Sequence, residues 1–188
     1  MMVGYPLFLK LEGKQCLVFG GGKVALRKIK ALLRRGALVT CVSRDFCKPL
    51  KKLVGAPLVG ARKRAGTQRP EGGETPPLQL KRIKNGRINI AINGAKLVIA
   101  ATSDRKFNAR AAQVCRRKKV LINVVDNPEL CDFYVPAVVE RGPLQIAIST
   151  GGTSPLFAKR LREELQKVIP ASTGHLLKKL GKIRRRKI

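Results

Sequence analysis

Tryptophan is absent, histidine occurs once, and there are only two tyrosines and six phenylalanines in 188 residues. Single-stranded nucleic acid would find few aromatic platforms to stack on. Acidic residues are also scarce: 11 Asp and Glu stand against 40 Lys and Arg, a formal net charge of +29. Such an excess bears on partners and not on fold, and it suits nucleic acid, anionic lipid or a polyanionic small molecule equally. The five cysteines (Cys16, Cys41, Cys47, Cys115 and Cys131) are odd in number and scattered, with no C-x-x-C pair. That pattern excludes a secreted disulfide framework and a zinc-ligand array. No apolar run approaches the roughly 20 residues that span a bilayer, and the N-terminus has no secretory h-region. The expectation is a cytoplasmic protein with no membrane partner and no metal site. His175, with no second His or Cys nearby, reads as a surface residue.

The apolar fraction of 44% is ordinary for a globular chain, and the length allows one domain with a smaller appended element. Residues 16–19 form a short apolar run, followed by Gly20-Gly21-Gly22. Val24, Ala25, Ile29, Leu32 and Leu33 then fall on helical spacing, and Gly36 supplies a stop. A second apolar run covers residues 38–42, completing a strand, glycine turn, helix and strand. Apolar runs at 97–101 and 120–125 flank a helical stretch at 108–117. Runs without polar alternation, separated by helices, predict an α/β fold with a parallel, Rossmann-like sheet covered on both faces. Residues 55–84 break the pattern with clustered Gly, Pro, Arg and Lys, and read as a basic loop that replaces a regular strand and helix. Residues 144–149 read as a further strand. Ser154 as N-cap and Pro155 at the first helical position open a helix to about Val168, with Leu156, Phe157, Leu161, Leu165 and Val168 on one face. Cys16 and Cys41, inside apolar runs, read as small buried hydrophobes.

Gly20-x-Gly22-x-x-Ala25, placed between strand and helix, has the form of a dinucleotide-binding turn. Its chemistry requires one glycine for the tight turn, one where the backbone approaches a pyrophosphate, and a small third residue for helix packing. The helix N-terminus then faces the phosphates. The second strand ends Val42-Ser43-Arg44-Asp45, so either Asp45 reaches the ribose hydroxyls or Ser43 and Arg44 accept a 2′-phosphate. Thr102 and Ser103 lie where they line the same crevice. Asp126 closes the run Asn123-Val124-Val125-Asp126 at the carboxyl end of a strand, where ligands bind in open α/β sheets. It reads either as a base for the proton that accompanies a hydride or as a turn cap before Asn127-Pro128. Thr150-Gly151-Gly152-Thr153-Ser154 reads either as an anion site at a helix N-terminus or as ordinary capping.

Several motifs, taken in order, resemble the precorrin-2 dehydrogenases, which include the N-terminal module of siroheme synthase. They are Tyr5-Pro6-Leu7-Phe8-Leu9, Val18-Phe19-Gly20-Gly21-Gly22-Lys23-Val24-Ala25-Leu26-Arg27-Lys28, Ile99-Ala100-Ala101-Thr102-Ser103-Asp104, Asn123-Val124-Val125-Asp126-Asn127-Pro128, Phe133-Tyr134-Val135-Pro136-Ala137 and Ser149-Thr150-Gly151-Gly152-Thr153-Ser154-Pro155. The resemblance implies NAD-dependent oxidation of precorrin-2 to sirohydrochlorin on the route to siroheme, and it implies a homodimer. It makes Asp126 the catalytic acid/base and puts nucleotide contacts on Gly20, Gly22, Lys23, Val24, Arg44 and Asp45, to which position at the strand ends adds Ser43 and Thr102 as expected cofactor contacts. The expected substrate contacts are Asn123, Thr150, Gly151, Gly152, Thr153 and Ser154. The implied organisation is an NAD-binding domain over 1–135, a dimerisation segment over 136–169 and a short basic helical segment over 170–188.

Some members of that family also insert Fe2+ into sirohydrochlorin, which is one alternative activity; a basic nucleic-acid-binding protein with a vestigial nucleotide fold is another. Three departures from the family pattern stand out. Thr150 replaces a phosphorylatable serine, so regulation there is not expected; residues 55–84 do not follow the pattern; and no methyltransferase module follows residue 170, which implies a free-standing dehydrogenase. Precorrin-2 carries eight carboxylates, so it offers the positive charge a small-molecule partner.

Overall fold

Near-continuous apolar runs become strands buried on both faces, because helices cover each side of a parallel sheet. The computed structural model describes residues 4–54, 78–82 and 88–186. Five parallel strands, β1 (Gln15–Phe19), β2 (Leu38–Ser43), β3 (Leu78–Arg82), β4 (Leu97–Ala100) and β5 (Leu121–Val124), lie in the order β3-β2-β1-β4-β5. This is the strand order of a mononucleotide-binding half with its neighbouring strands.

Alternation along each strand divides the apolar side chains between two faces. Cys16 and Val18 of β1 and Leu97 and Ile99 of β4 meet Ala25, Ile29, Leu32 and Leu33 of helix α1 (Lys23–Leu33). Leu17 and Phe19, with Val98 and Ala100, meet α3 (Ile88–Ile92) and α4 (Arg105–Arg117) on the other side. Phe19 and Phe107 pack edge to face with centroids 5.1 Å apart. Each fully buried Leu, Ile, Val or Phe contributes about 1.5–3 kcal/mol. Gly36, at φ +73°, ends α1 in the left-handed conformation that glycine adopts without strain. Helix α4 is capped by Asp104, whose carboxylate accepts from the Phe107 N–H at 2.9 Å.

The reading of residues 55–84 is corrected in part. Leu78–Arg82 is a regular edge strand, pairing in parallel from Val39↔Leu78 to Ser43↔Arg82. Only Leu78 is fully buried, and Lys81 and Arg82 are exposed, so the strand carries little apolar signal and sits among the basic residues that keep an edge soluble. The rest of that loop, 55–77 and 83–84, lies outside the described residues. Two short helices also escaped the sequence pattern: α2 (Lys48–Leu53), which opens on Pro49, and α3.

Residues 8–133 form one compact unit, and residues from Tyr134 onward form another with those up to Leu7. In the second unit, β6 (Ala137–Arg141) and β7 (Leu144–Ile148) make an antiparallel hairpin. The strand expected at 144–149 therefore belongs to a separate sheet, with a partner that periodicity had not identified. Val139 and Ile148 pack on Ala158 of α5 (Pro155–Val168). The Arg141 guanidinium donates to the carbonyls of Ile169 (2.9 Å) and Gln166 (2.6 Å), placing a cation on the negative end of that helix. The chain then continues into α6 (Ser172–Arg186). Gly174 there lies against the Arg141-Gly142 backbone, where a side chain would collide with the Arg141 carbonyl.

Candidate functional site at the carboxyl edge of the sheet

The parallel ladder carries past the strand ends. Gly20 N–H donates to Val42 O (2.9 Å), Ala101 N–H to Phe19 O (2.8 Å), and Val125 N–H to Ala100 O (2.9 Å). The glycine turn, the Ala101-Thr102 segment and the Val125-Asp126 segment are thereby aligned along one edge of the sheet.

The three glycines of the turn do different things. Gly20 has φ +115°, and a side chain there would run into the carbonyl of Ala101. Gly21 is closed off by the Asp45 carbonyl and the Ser43 hydroxyl, and its own carbonyl accepts from the Cys47 N–H at 2.8 Å. Gly22, by contrast, has open space where a side chain would be. It is the N-cap of α1 and makes no side-chain cap, and no acidic residue occupies the first turn. Helices α4 and α5 are capped by the Asp104 and Ser154 side chains, whereas α1 presents N–H groups without a side-chain cap beside an unobstructed glycine. Those features fit a pyrophosphate. Cys41 supports the turn from beneath, its thiol 3.2 Å from Gly20 O; burial pushes that thiol up to about 12, so it remains protonated.

Lys23 and Val24 begin α1 and are exposed; Ser43 is half-buried at the end of β2, and Arg44 and Asp45 are exposed. The choice between ribose hydroxyls and a 2′-phosphate stays with these last three. Thr102 is half-buried and its hydroxyl donates to Asn108 Oδ1 at 2.6 Å, while Asn108 Nδ2 returns a bond to Thr102 O at 3.0 Å. Asn108, a buried polar residue on α4, thus fixes the loop after β4. Only its place in a helix was legible beforehand.

Asp126 is exposed and holds φ +63°, a left-handed conformation that Asp tolerates better than most residues. Lys28, half-buried on α1, feels its charge. Burial and the Arg27 charge push the Lys28 ammonium pKa down, while Cys131 and Asp126 pull it back up. A cation from α1 therefore lies within Coulombic reach of the carboxylate two strands away. Helical spacing alone did not single it out. Asn123 is only 8% exposed, and its amide donates to Phe133 O (3.0 Å) and Cys131 Sγ (3.4 Å). Its N–H groups are engaged within the protein.

Thr150 to Ser154 lie in the second unit. Ser154 Oγ accepts from the Phe157 N–H, Thr150 Oγ1 from the Ser154 N–H, and Thr150 O from the Thr153 N–H, each at 3.1 Å. Gly151 and Gly152 are exposed with φ +61° and +85°. Turn and capping bonds thus engage the Thr150 and Ser154 hydroxyls. Among the described residues, no group of three or more His, Cys, Asp or Glu side chains is placed to hold a metal ion, and no helix is long and apolar enough to cross a membrane.

Comparison with known proteins places these observations. Residues 7–137 match the family described as putative NAD(P)-binding, and residues 141–167 match that described as sirohaem biosynthesis protein central. The chain is 39% identical over 171 residues to the siroheme synthase of Methylobacillus flagellatus, covering 91% of this chain and 32% of that protein. It is 36% identical over 172 residues to the siroheme synthase of Thioalkalivibrio sulfidiphilus, covering 92% and 31%. It thus spans about a third of the length of the curated relatives it matches. Among solved structures it is similar to SirC, precorrin-2 dehydrogenase, with a TM-score of 0.66 and 28% identity, covering 96% of this chain and 79% of that one.

Proposed function

Because this chain belongs to the putative NAD(P)-binding family, we propose that it catalyses the NAD-dependent oxidation of precorrin-2 to sirohydrochlorin, a step toward siroheme. The observation that carries the reading is the carboxyl edge itself. An uncapped helix N-terminus with an unobstructed glycine and an exposed aspartate stand two strands apart on it, about 10 Å by strand spacing. The similarity to SirC over most of both chains supports it.

The oxidation removes a hydride and a proton from the tetrapyrrole. NAD, when bound, would supply the hydride acceptor; the Gly22 backbone and the first turn of α1 would hold its pyrophosphate, and Ser43, Arg44 and Asp45 would hold its ribose end. Asp126 accepts the proton at its carboxylate, and Lys28 keeps that carboxylate beside a positive charge. The exposed cations of this unit suit a substrate bearing several carboxylates. Anaerobic incubation of the chain with precorrin-2 and NAD or NADP tests the reading, followed by absorbance with and without Fe2+. NADH and sirohydrochlorin should form in equal amounts; no NADH from competent precorrin-2 would overturn it.

The reading includes a homodimer formed through residues 136–169. Its support is the face of α5 expected to be buried: Leu156 is 60%, Phe157 58% and Val168 76% exposed in the single chain. Exposed apolar groups in such a cluster mark an interaction surface. Phe157→Glu places an acid in the first helical turn, which favours the helix, but it buries an unpaired charge in any interface. Burying a Phe is worth about 1.5–3 kcal/mol, so the dimer dissociation constant should rise about 100-fold or more in analytical ultracentrifugation.

A further inference from the structure

Asp126 sits on a turn whose two ends are joined by one side chain. Cys131 Sγ accepts the Val124 N–H at 3.1 Å and lies 3.2 Å from Val124 O and 3.3 Å from Asn127 O. The Asn123 amide reaches the same sulfur at 3.4 Å while donating to Phe133 O. The thiol therefore touches the backbone on both sides of Asp126, at residues 124 and 127. It has one proton for two carbonyls and accepts from two donors, so it serves as the hub of the turn. Backbone bonds close the rest of it: Asn127 N–H to Val124 O (3.4 Å) and Cys131 N–H to Pro128 O (3.0 Å).

We infer that Cys131 is a positioning residue, acting through Asp126: it holds the left-handed turn in which the carboxylate is presented to the substrate. This rests on the reading of Asp126 as the proton acceptor. Burial keeps the thiol protonated, with its pKa above the ordinary range, so it remains a donor at neutral pH. Cys131 is half-buried and lies within Coulombic reach of Lys28, as does Asp126. The arrangement links the turn to the nucleotide-binding helix without placing the sulfur on the substrate.

The test uses the full chain and its Cys131→Ala, Cys131→Ser and Asp126→Asn variants, plus the Asp126→Asn/Cys131→Ala double variant. Measurements are kcat, KM for precorrin-2, NAD affinity and melting temperature. Cys131→Ala should lower kcat at least tenfold with NAD affinity within twofold of wild type. Cys131→Ser should recover to within fivefold of wild type, because a hydroxyl offers the same donor and acceptors. The double variant should be no slower than Asp126→Asn alone. The inference is overturned by wild-type kcat in Cys131→Ala, by a parallel loss of kcat and NAD affinity, or by a further tenfold loss in the double variant. If Cys131→Ala does not fold, Cys131→Val, which fills the same space without a donor or acceptor, decides by the same tenfold limit. Failure of the reaction itself looks different: wild-type chain that forms no NADH, or Asp126→Asn with undiminished turnover, removes the reading and this inference with it.

Discussion

Asp126→Asn should lower kcat for precorrin-2 oxidation by about 10²–10⁴-fold, the range that a positioned base contributes, with NAD affinity and melting temperature close to wild type. Asparagine is the informative replacement because the residue stands at φ +63°. Asn shares the tolerance of Asp for that region, while Ala pays about 1–2 kcal/mol to enter it. Asp126→Ala should therefore lose the same activity and some stability as well, and comparing the two separates chemistry from backbone strain. NADH formation under anaerobic conditions, NAD titration and thermal melting together make the check. Undiminished turnover in Asp126→Asn would remove the carboxylate from the mechanism.

Gly20→Ala and Gly22→Ala should fail in opposite ways. At Gly20 the methyl group must share space with the Ala101 carbonyl, and φ +115° is open in practice only to glycine. The cost is about 3 kcal/mol from strain and overpacking, or roughly 6–12 °C in melting temperature for a chain of this size. At Gly22 the backbone is extended at φ −88°, and the new methyl meets no protein atom. Stability should stay within about 0.5 kcal/mol, yet NAD binding should weaken about tenfold or more, because the methyl occupies the space a pyrophosphate needs. Melting curves and NAD titration on both variants read the result. A Gly22→Ala protein that binds NAD normally would mean that the nucleotide does not approach that glycine.

The parts of the fold visible in the sequence are those whose cause is local. Apolar runs at residues 16–19 and 97–101 announced β1 and β4, and the Ser154-Pro155 pair announced the start of α5; all three stand in the structure. The family resemblance read from the motifs is borne out by the siroheme synthase relatives and by SirC. Strand β3 was hidden because an edge strand needs one buried face, and here Leu78 is its only fully buried residue. Hairpin strand β6 was missed because Val139 alone of its residues is buried. Lys28 and Cys131 were missed for another reason. Lys28 acts on Asp126 from another element, and the thiol of Cys131 reaches Val124 and Asn127 only because the turn folds back on itself, which residue spacing does not reveal.

By itself the sequence determined a parallel α/β sheet, a glycine turn at the head of its first helix and an aspartate at the end of β5, since strand period, helix period and turn chemistry act over a few residues. Tertiary structure decided which glycine is sterically required and which is open to a ligand, because Ala101 and Asp45 provide the walls. It also decided that Asn123 turns inward, that Cys131 ties the turn around Asp126, and that one face of α5 remains uncovered. These depend on atoms brought together by folding. The scarcity of acidic residues, met first in the composition, takes on local meaning at Asp126: in a chain with 11 acids against 40 bases, this carboxylate stands at the strand ends within Coulombic reach of Lys28.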